Sequence, residues 1–448
     1  MNKLVDFPYR RVLVLGLAKS GTATCHVLRR NGIDVIANDL KASELDANVL
    51  ELKANGVHCV LGDHPTSLLD KVELVIKNPG IPYHNVMVKA AQAKGLPIWT
   101  EIECLNYFPN NQIAAVTGSN GKTTTTTLLH LMLQHSQQPA EVAGNIGRVA
   151  LEVAEKMDRS QKLVLELSSF QLMGIEKFKP RVAVLLNLFE AHIDYHGSFN
   201  DYQLAKARIF ANQSTEDFLI YNRDDARVSE LIKSASATLI PFSTKQPCPS
   251  GAWADHDAIY FRNEKVMALR DIRLVGEHNR ENILASVSAA LLLGASIDGI
   301  QQTLSTFTGV KHRLQYVTEK NGRLFYNDSK ATNILASSKA LSSFSQPTLL
   351  LAGGLDRGND FEALIPFLKN VKGMFVYGQT ADKLAEAGRR ANVPLIQSGQ
   401  TLEEMLKKAY ANSDVGDVIL LSPACASWDQ FKTFEDRGDM FIETVHTL

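Results

Sequence analysis

The sequence predicts an α/β protein of three domains: a Rossmann-like N-terminal unit, a central P-loop ATPase-like unit with a mostly parallel sheet, and a C-terminal Rossmann-like α/β unit. Three observations predict it. Short apolar runs of strand length alternate with runs of helical length along the chain. The residues just after the apolar runs are repeatedly Gly, Ser, Asn, Asp or Lys, at the edge where ligands of open α/β sheets gather. The length of 448 residues suits about three domains of ~150 residues. The expected boundaries are 1–101, 102–309 and 310–448.

Composition narrows the class of partner. A hydrophobic content of 45% and a charged content of 21% are ordinary for a soluble globular chain. A formal net charge of −1 gives no footing for nucleic acid or an anionic membrane. The five cysteines (25, 59, 104, 248 and 425) stand far apart without a Cys-x-x-Cys pair, so reduced thiols and a cytoplasmic location are expected. Met1-Asn-Lys-Leu-Val-Asp-Phe-Pro8 lacks the apolar core of a signal peptide. The uncharged run Asn282–Ile297 is short for a membrane span and carries three serines, so no membrane insertion is expected. A monomer is the expected state.

In the first unit, Arg11-Val-Leu-Val-Leu-Gly-Leu-Ala-Lys-Ser-Gly21 reads as a strand and a Gly-rich turn, with a helical run over Thr22–Asn31. A second strand, Asp34–Ala37, ends at Asn38-Asp39, an acid where a dinucleotide's ribose hydroxyl would sit. Ala18 takes the place of the glycine at which backbone approaches a pyrophosphate closely. The turn therefore suits a nicotinamide or flavin, or the diphosphate of another nucleotide. The strand Val72–Ile76 leads into Lys77-Asn-Pro-Gly-Ile-Pro82, either a ligand edge or simple punctuation by proline and glycine.

The central unit holds the most telling stretch, Ile113-Ala-Ala-Val-Thr-Gly-Ser-Asn-Gly-Lys-Thr-Thr124. A buried strand, a turn through Gly118, Ser119, Asn120 and Gly121, and Lys122, Thr123 and Thr124 opening a helix form a phosphate cradle. The first glycine of the full G-x-x-x-x-G-K-T pattern would fall on Val116. An ordinary Gly-rich loop is the alternative. Gly144-Asn-Ile-Gly147 offers the amide of Asn145. The strand Lys162–Glu166 presents Glu166 where a Mg²⁺ ligand, or an acid paired with some base, would stand. After the strand Val182–Asn187, Glu190, His192 and Asp194 cluster in a loop, and His192 is open to a ligand or a structural role. Tyr202 and Lys206 share a face of the helix Asp201–Phe210. On pattern alone Lys206 reads as a solvated charge, and Asn279 and Asn282 as caps at a helix start.

In the last unit the strands Leu324–Tyr326, Pro347–Leu351, Gly373–Tyr377 and Asp417–Leu421 end in Asn327-Asp-Ser-Lys-Ala-Thr-Asn333, Ala352-Gly-Gly-Leu-Asp-Arg-Gly358, Gly378 and Ser422-Pro-Ala-Cys-Ala-Ser427. Two nucleotide-type units flanking an ATPase unit suggest substrates brought to one phosphate site from separate domains.

Together these residues resemble the Mur ligase family, ATP-dependent amino-acid ligases of bacterial cell-wall (peptidoglycan) synthesis. The resemblance runs from Gly16 to about Phe441 and is carried by Thr117–Thr124, Glu166, Asn187 with His192, Asn279 and Asn282, and His312-Arg313. It is nearest to the family's D-glutamate-adding branch through Asn327–Asn333, Leu421–Phe431 and Phe434-Glu-x-Arg-Gly438. It also accounts for Val116.

The resemblance implies a two-step ligation. ATP phosphorylates the carboxylate of UDP-N-acetylmuramoyl-L-alanine, and the amine of D-glutamate then attacks the acyl phosphate and expels phosphate through a tetrahedral intermediate. Hydroxide is a poor leaving group and phosphate a good one; moving a phosphoryl group between anions needs cations. By resemblance, Lys122 and a Mg²⁺ on Thr123 and Glu166 serve the β- and γ-phosphates. A second Mg²⁺ bridges His192 and Lys206, the latter as a CO₂-derived carbamate, since an ammonium has no lone pair to offer. Asn279 and Arg313 hold ATP, with Asp328 near the ribose. Asn145 and His192 contact the uridine substrate or the acyl phosphate, and Lys19, Ser20, Lys41, Asn78 and Gly80 take its uracil and diphosphate. Lys330, Thr332, Ser427 and Phe434 take D-glutamate. Lys19, Leu40 and Lys41 depart from better-known members, and Trp428 stands where a smaller aliphatic residue is usual. The alternatives are a sister Mur ligase or folylpolyglutamate synthase, a nicotinamide-dependent dehydrogenase, or a non-catalytic nucleotide switch. The Ser422–Ser427 motif and the lack of Asp-Asn-Pro-Arg favour D-glutamate.

Overall fold

The computed structural model describes residues 1–109, 112–274 and 276–448. The chain forms two compact units, Met1–Ile272 with His278–Ser305, and Arg273–Glu277 with Thr306–Leu448. The first contains two sheets and the second contains one. Among the described residues no helix is long and apolar enough to cross a membrane.

The first sheet comprises β1 (Arg11–Leu15), β2 (Asp34–Asp39), β3 (His58–Leu61), β4 (Leu74–Lys77) and β5 (Ile98–Trp99), in the order β3-β2-β1-β4-β5. All its pairings are parallel. Val12–Leu15 are wholly buried because a parallel sheet is covered on both faces. Strand order reverses between β1 and β4, so the loops after these two strands open beside one another. The helix Lys19–Arg30 starts three residues before the expected Thr22. A Cβ on its Gly21 would lie 1.8 Å from the carbonyl oxygen of Gly16, so only glycine lets the first turn close onto the strand.

The second sheet has nine strands: β6 (Ile113–Thr117), β7 (Ala140–Gly144), β8 (Lys162–Glu166), β9 (Val182–Leu185), β10 (Phe218–Asn222), β11 (Thr238–Ser243), β12 (Ala252–Ala254), β13 (Ala258–Phe261) and β14 (Glu264–Ala268). The order is β14-β13-β12-β11-β10-β9-β6-β8-β7, and among the described residues only the β12–β13–β14 edge is antiparallel. The expected mostly parallel sheet is therefore present. With β6 between β9 and β8, the residues after all three strands are neighbours at one sheet edge.

The second unit's sheet comprises β15 (Gln315–Lys320), β16 (Arg323–Asn327), β17 (Thr348–Gly353), β18 (Val371–Tyr377), β19 (Leu395–Gly399) and β20 (Val418–Leu421). Its order is β15-β16-β20-β17-β18-β19, with β15 alone antiparallel. The residues after β16, β20 and β17 open side by side.

Candidate active site

The phosphate loop spans Gly118–Gly121 between β6 and the helix Lys122–His135. Gly121 caps that helix with φ +83°, and a Cβ there would stand 2.1 Å from Asn282 Oδ1. The loop is held from β9's end: the Asn120 N–H donates to Asn187 Oδ1 at 2.9 Å, and the Ser119 N–H donates to the Asn187 carbonyl at 2.9 Å. Ser119 Oγ lies 2.9 Å from the Tyr202 hydroxyl and accepts from the Phe189 N–H at 2.8 Å. The Lys122 ammonium donates to the carbonyls of Gly118 (2.9 Å) and Ser119 (3.1 Å). Thr123 and Thr124 follow in the first helical turn, where backbone N–H groups and the helix dipole favour an anion.

Glu166, at the end of β8, is 1% exposed. Its Oε1 accepts from Asn145 Nδ2 at 2.7 Å, while its buried Oε2 meets no donor among the described residues. A buried carboxylate oxygen without a donor calls for a cation. One carboxylate beside a phosphate cradle is the usual protein share of a Mg²⁺ shell, so the donor set fits that ion.

Lys206 corrects the solvated-charge reading, for it is 1% exposed. Its Nζ donates to the Gly118 carbonyl at 2.8 Å and lies 4.8 Å from the centre of the Tyr202 ring, the helix neighbour expected from spacing. Burial, together with the charge of Lys122 and against that of Glu166, holds its ammonium well below the usual lysine range. His192 adopts φ +56°, and its ring centroid lies 4.9 Å from that of Phe170. Burial and the cations Lys206 and Lys122, opposed by Asp194, lower its pKa.

Asn279 and Asn282 are not caps, since both lie inside the helix Glu277–Leu292. Asn282 Nδ2 donates to Asn279 Oδ1 at 3.0 Å, and Asn282 Oδ1 accepts from Thr125 Oγ1 at 3.4 Å. The pair thus backs the phosphate-loop helix.

Within the same unit, a cavity of about 380 Å³ is lined by Lys19, Ser20, Asn78, Gly80, Asn145 and Phe170, among others. Five expected uridine-substrate residues converge there. Lys41 and His192 do not line it; the Lys41 N–H donates to Asp39 Oδ1 at 2.7 Å. Asp39 Oδ2 also accepts from the Leu17 N–H at 2.7 Å and Oδ1 from the Ala42 N–H at 2.9 Å. The acid expected on a ribose hydroxyl thus also holds two loops, those after β1 and β2. Sequence reasoning missed Glu101, Ser168, Phe170 and Gln171 in the lining. The run Leu165-Glu-Leu-Ser-Ser-Phe-Gln171, polar directly after an apolar strand, was the available signal.

In the second unit, Asp328 Oδ1 accepts from the Leu314 N–H at 3.0 Å and Oδ2 from Ser422 Oγ at 2.9 Å. Burial pushes its carboxyl up to about 7, against these hydrogen bonds and the Arg313 charge. The exposed Lys330 lies 4.7 Å from the centre of the Phe434 ring. The Thr332 N–H donates to the Lys330 carbonyl at 2.9 Å, Ser427 is buried after β20, and exposed Trp428 carries Arg357 5.0 Å from its ring centre.

Strand, glycine loop, lysine and hydroxyls at a helix start, with a carboxylate on the adjacent strand, define a P-loop-type α/β protein. Comparisons with known proteins narrow this. Family models match at residues 10–100 (Mur ligase MurD-like, N-terminal domain), 116–290 (Mur ligase middle domain) and 312–425 (Mur ligase, glutamate ligase domain). The chain is 56% identical, over the whole of both chains, to a protein of Oceanobacillus iheyensis named UDP-N-acetylmuramoylalanine–D-glutamate ligase. A protein of that name from Bacillus cereus is 53% identical, again over all of both chains. Among solved structures, the UDP-N-acetylmuramate–alanine ligase MurC of Thermotoga maritima gives a TM-score of 0.59 at 17% identity, covering 98% of this chain and 99% of that one. The MurF ligase of Thermotoga maritima with ADP gives 0.57 at 19% identity, covering 97% and 95%. The chain belongs to the Mur ligase family.

Proposed function

We propose that the chain is an ATP-dependent ligase of peptidoglycan synthesis, joining D-glutamate to UDP-N-acetylmuramoyl-L-alanine with release of ADP and phosphate. The observation that carries this reading is 56% identity over the full length to a ligase named for that step. The domain reading is 1–101 for the uridine substrate, 102–309 for ATP and 310–448 for the amino acid.

The site residues take the following roles in this reading. Gly118–Thr124, with Asn279, Arg313 and Asp328, hold ATP. Thr123 and Glu166 hold one Mg²⁺, which would supply charge neutralisation at the phosphates. The donor-free Oε2 of Glu166 supports that assignment. His192 and Lys206, the latter carbamylated, hold a second ion. Support for the carbamate comes from burial, which favours the neutral amine that can attack CO₂ and lose a proton. Lys19, Ser20, Asn78, Gly80 and Asn145 bind the uridine substrate, and their convergence on one cavity supports this. Lys41 would reach the uracil from outside that lining. Lys330, Thr332, Ser427 and Phe434 bind D-glutamate. The enzyme is read as a cytoplasmic monomer.

The test is phosphate release with Mg²⁺-ATP and UDP-N-acetylmuramoyl-L-alanine, comparing D-glutamate with L-glutamate, L-alanine and meso-diaminopimelate. Release only with D-glutamate, and a product heavier by one glutamyl unit, is expected; release with another amino acid reassigns the step. A carbamate resonance in ¹³C NMR after incubation with ¹³C-bicarbonate, lost in Lys206→Arg, tests the modified lysine.

A further inference from the structure

We propose that Lys77 is a positioning residue of the uridine-substrate cavity: a buried cation with no carboxylate of its own, round which the Asn78–Ile81 turn folds, and whose charge awaits the substrate's diphosphate. The inference rests on the uridine-substrate reading of that cavity.

Lys77 ends β4 and is 1% exposed. Its Nζ donates to the Ile81 carbonyl at 2.8 Å, and its remaining hydrogens are shared among the carbonyls of Pro79 at 3.3 Å and Asn78 at 3.4 Å and the Tyr195 hydroxyl at 3.3 Å. The Tyr83 ring centre lies 4.9 Å away. Every partner is a neutral dipole, and no Asp or Glu among the described residues pairs with it within 4.0 Å. The groups packed against it are Tyr83 and Tyr195, with the Arg208 charge acting on Tyr83 from beyond. Burial alone brings the ammonium down to about 7.

The turn it organises leads straight to ligand-facing groups. Asn78 Nδ2 donates to Ser20 Oγ at 2.9 Å, and the Gly80 N–H donates to Asn78 Oδ1 at 3.2 Å. Ser20, Asn78 and Gly80 all line the cavity. The Tyr195 hydroxyl joins the same carbonyls, Pro79 at 3.1 Å and Ile81 at 3.0 Å, tying the turn to the short helix Ile193–His196 that follows His192. A buried cation is costly unless an anion meets it. Three turn carbonyls could be satisfied by water or a neutral donor, so a lysine here gains its value when an anion arrives. A diphosphate in the adjoining cavity favours the ammonium, and binding then takes up a proton.

The experiment is titration calorimetry of UDP-N-acetylmuramoyl-L-alanine into the full chain at about pH 7.5, near the midpoint of a lysine so depressed, in buffers of different ionisation heat. Proton uptake by the wild type is expected. Lys77→Met should abolish that uptake and weaken binding about tenfold, with ATP affinity unchanged. Lys77→Arg keeps a cation that does not titrate, so it should retain most of the binding and lose the uptake; it decides the matter if the methionine variant does not fold. Wild-type binding with no proton uptake, or a folded Lys77→Met chain that binds and takes up protons as before, overturns the inference alone. A wild-type chain that binds ATP and not this substrate overturns the functional reading, and the inference with it.

Discussion

At the scale of single residues, this site is governed by charges taken out of water. Glu166 keeps one oxygen satisfied by Asn145 and leaves the other without a donor among the described residues. Glu166→Gln preserves shape and removes the anion. The expected outcome is a fall in kcat of about 100-fold or more and a raised Mg²⁺ requirement, read from initial rates across a Mg²⁺ series. Asn187 acts by geometry instead, since its side chain and carbonyl both hold the phosphate loop. Asn187→Ala leaves the Asn120 N–H without its acceptor, a loss of about 1–3 kcal/mol, and should raise the KM for ATP while the affinity for the uridine substrate stays unchanged. A matching fall in uridine-substrate affinity would refute that separation.

At the scale of elements, the two glycine turns do different work. Gly21 lets a helix start touch the end of a strand, whereas Gly121 gives the phosphate loop a left-handed residue against Asn282. Gly121→Ala meets both obstacles, a positive φ and a Cβ 2.1 Å from Asn282 Oδ1. It should destabilise the fold by about 1–3 kcal/mol and abolish nucleotide binding, measured by thermal melts with and without ATP. Melts shifted by ATP as in the wild type would contradict this. The phosphate loop was legible in sequence because its chemistry is local, a glycine, a lysine and hydroxyls at a helix start. The role of Asp39 was not legible, because a strand-end acid looks the same whether it faces a ribose, three backbone N–H groups or both.

At the scale of the whole molecule, buried titratable groups couple folding to pH. Burial pushes Glu101, which lines the cavity, up to about 7 from 4.5, and only hydrogen bonding from Leu151 and Gln171 opposes it. A carboxyl raised in the folded state binds a proton that the unfolded chain has lost. Its contribution is thus fully present below about pH 4.5 and declines as pH rises toward about 7. Glu101→Gln should flatten the pH dependence of stability in that window by one proton, as measured by denaturant titration at several pH values; an unchanged slope would reject it. The two compact units lead to a further expectation. UDP-N-acetylmuramoyl-L-alanine at 100 times its Kd should stabilise the first unit by about 2.7 kcal/mol. In scanning calorimetry, a ligand shift confined to a transition of residues 306–448 would exclude that placement.

The sequence by itself determined the α/β class, the three sheets, the phosphate loop and the family, because apolar periodicity and a glycine-lysine-threonine turn are written in adjacent residues. Only the tertiary structure decided that Lys206 is buried, that Asn279 and Asn282 back the phosphate-loop helix, that Asp39 accepts from three backbone N–H groups, and that Lys77 pairs with no carboxylate among the described residues. Each of these involves at least one group distant in sequence: Gly118 for Lys206, Thr125 for Asn282, Leu17 for Asp39 and Tyr195 for Lys77. Burial and charge balance are properties of that assembly, and no local pattern encodes them.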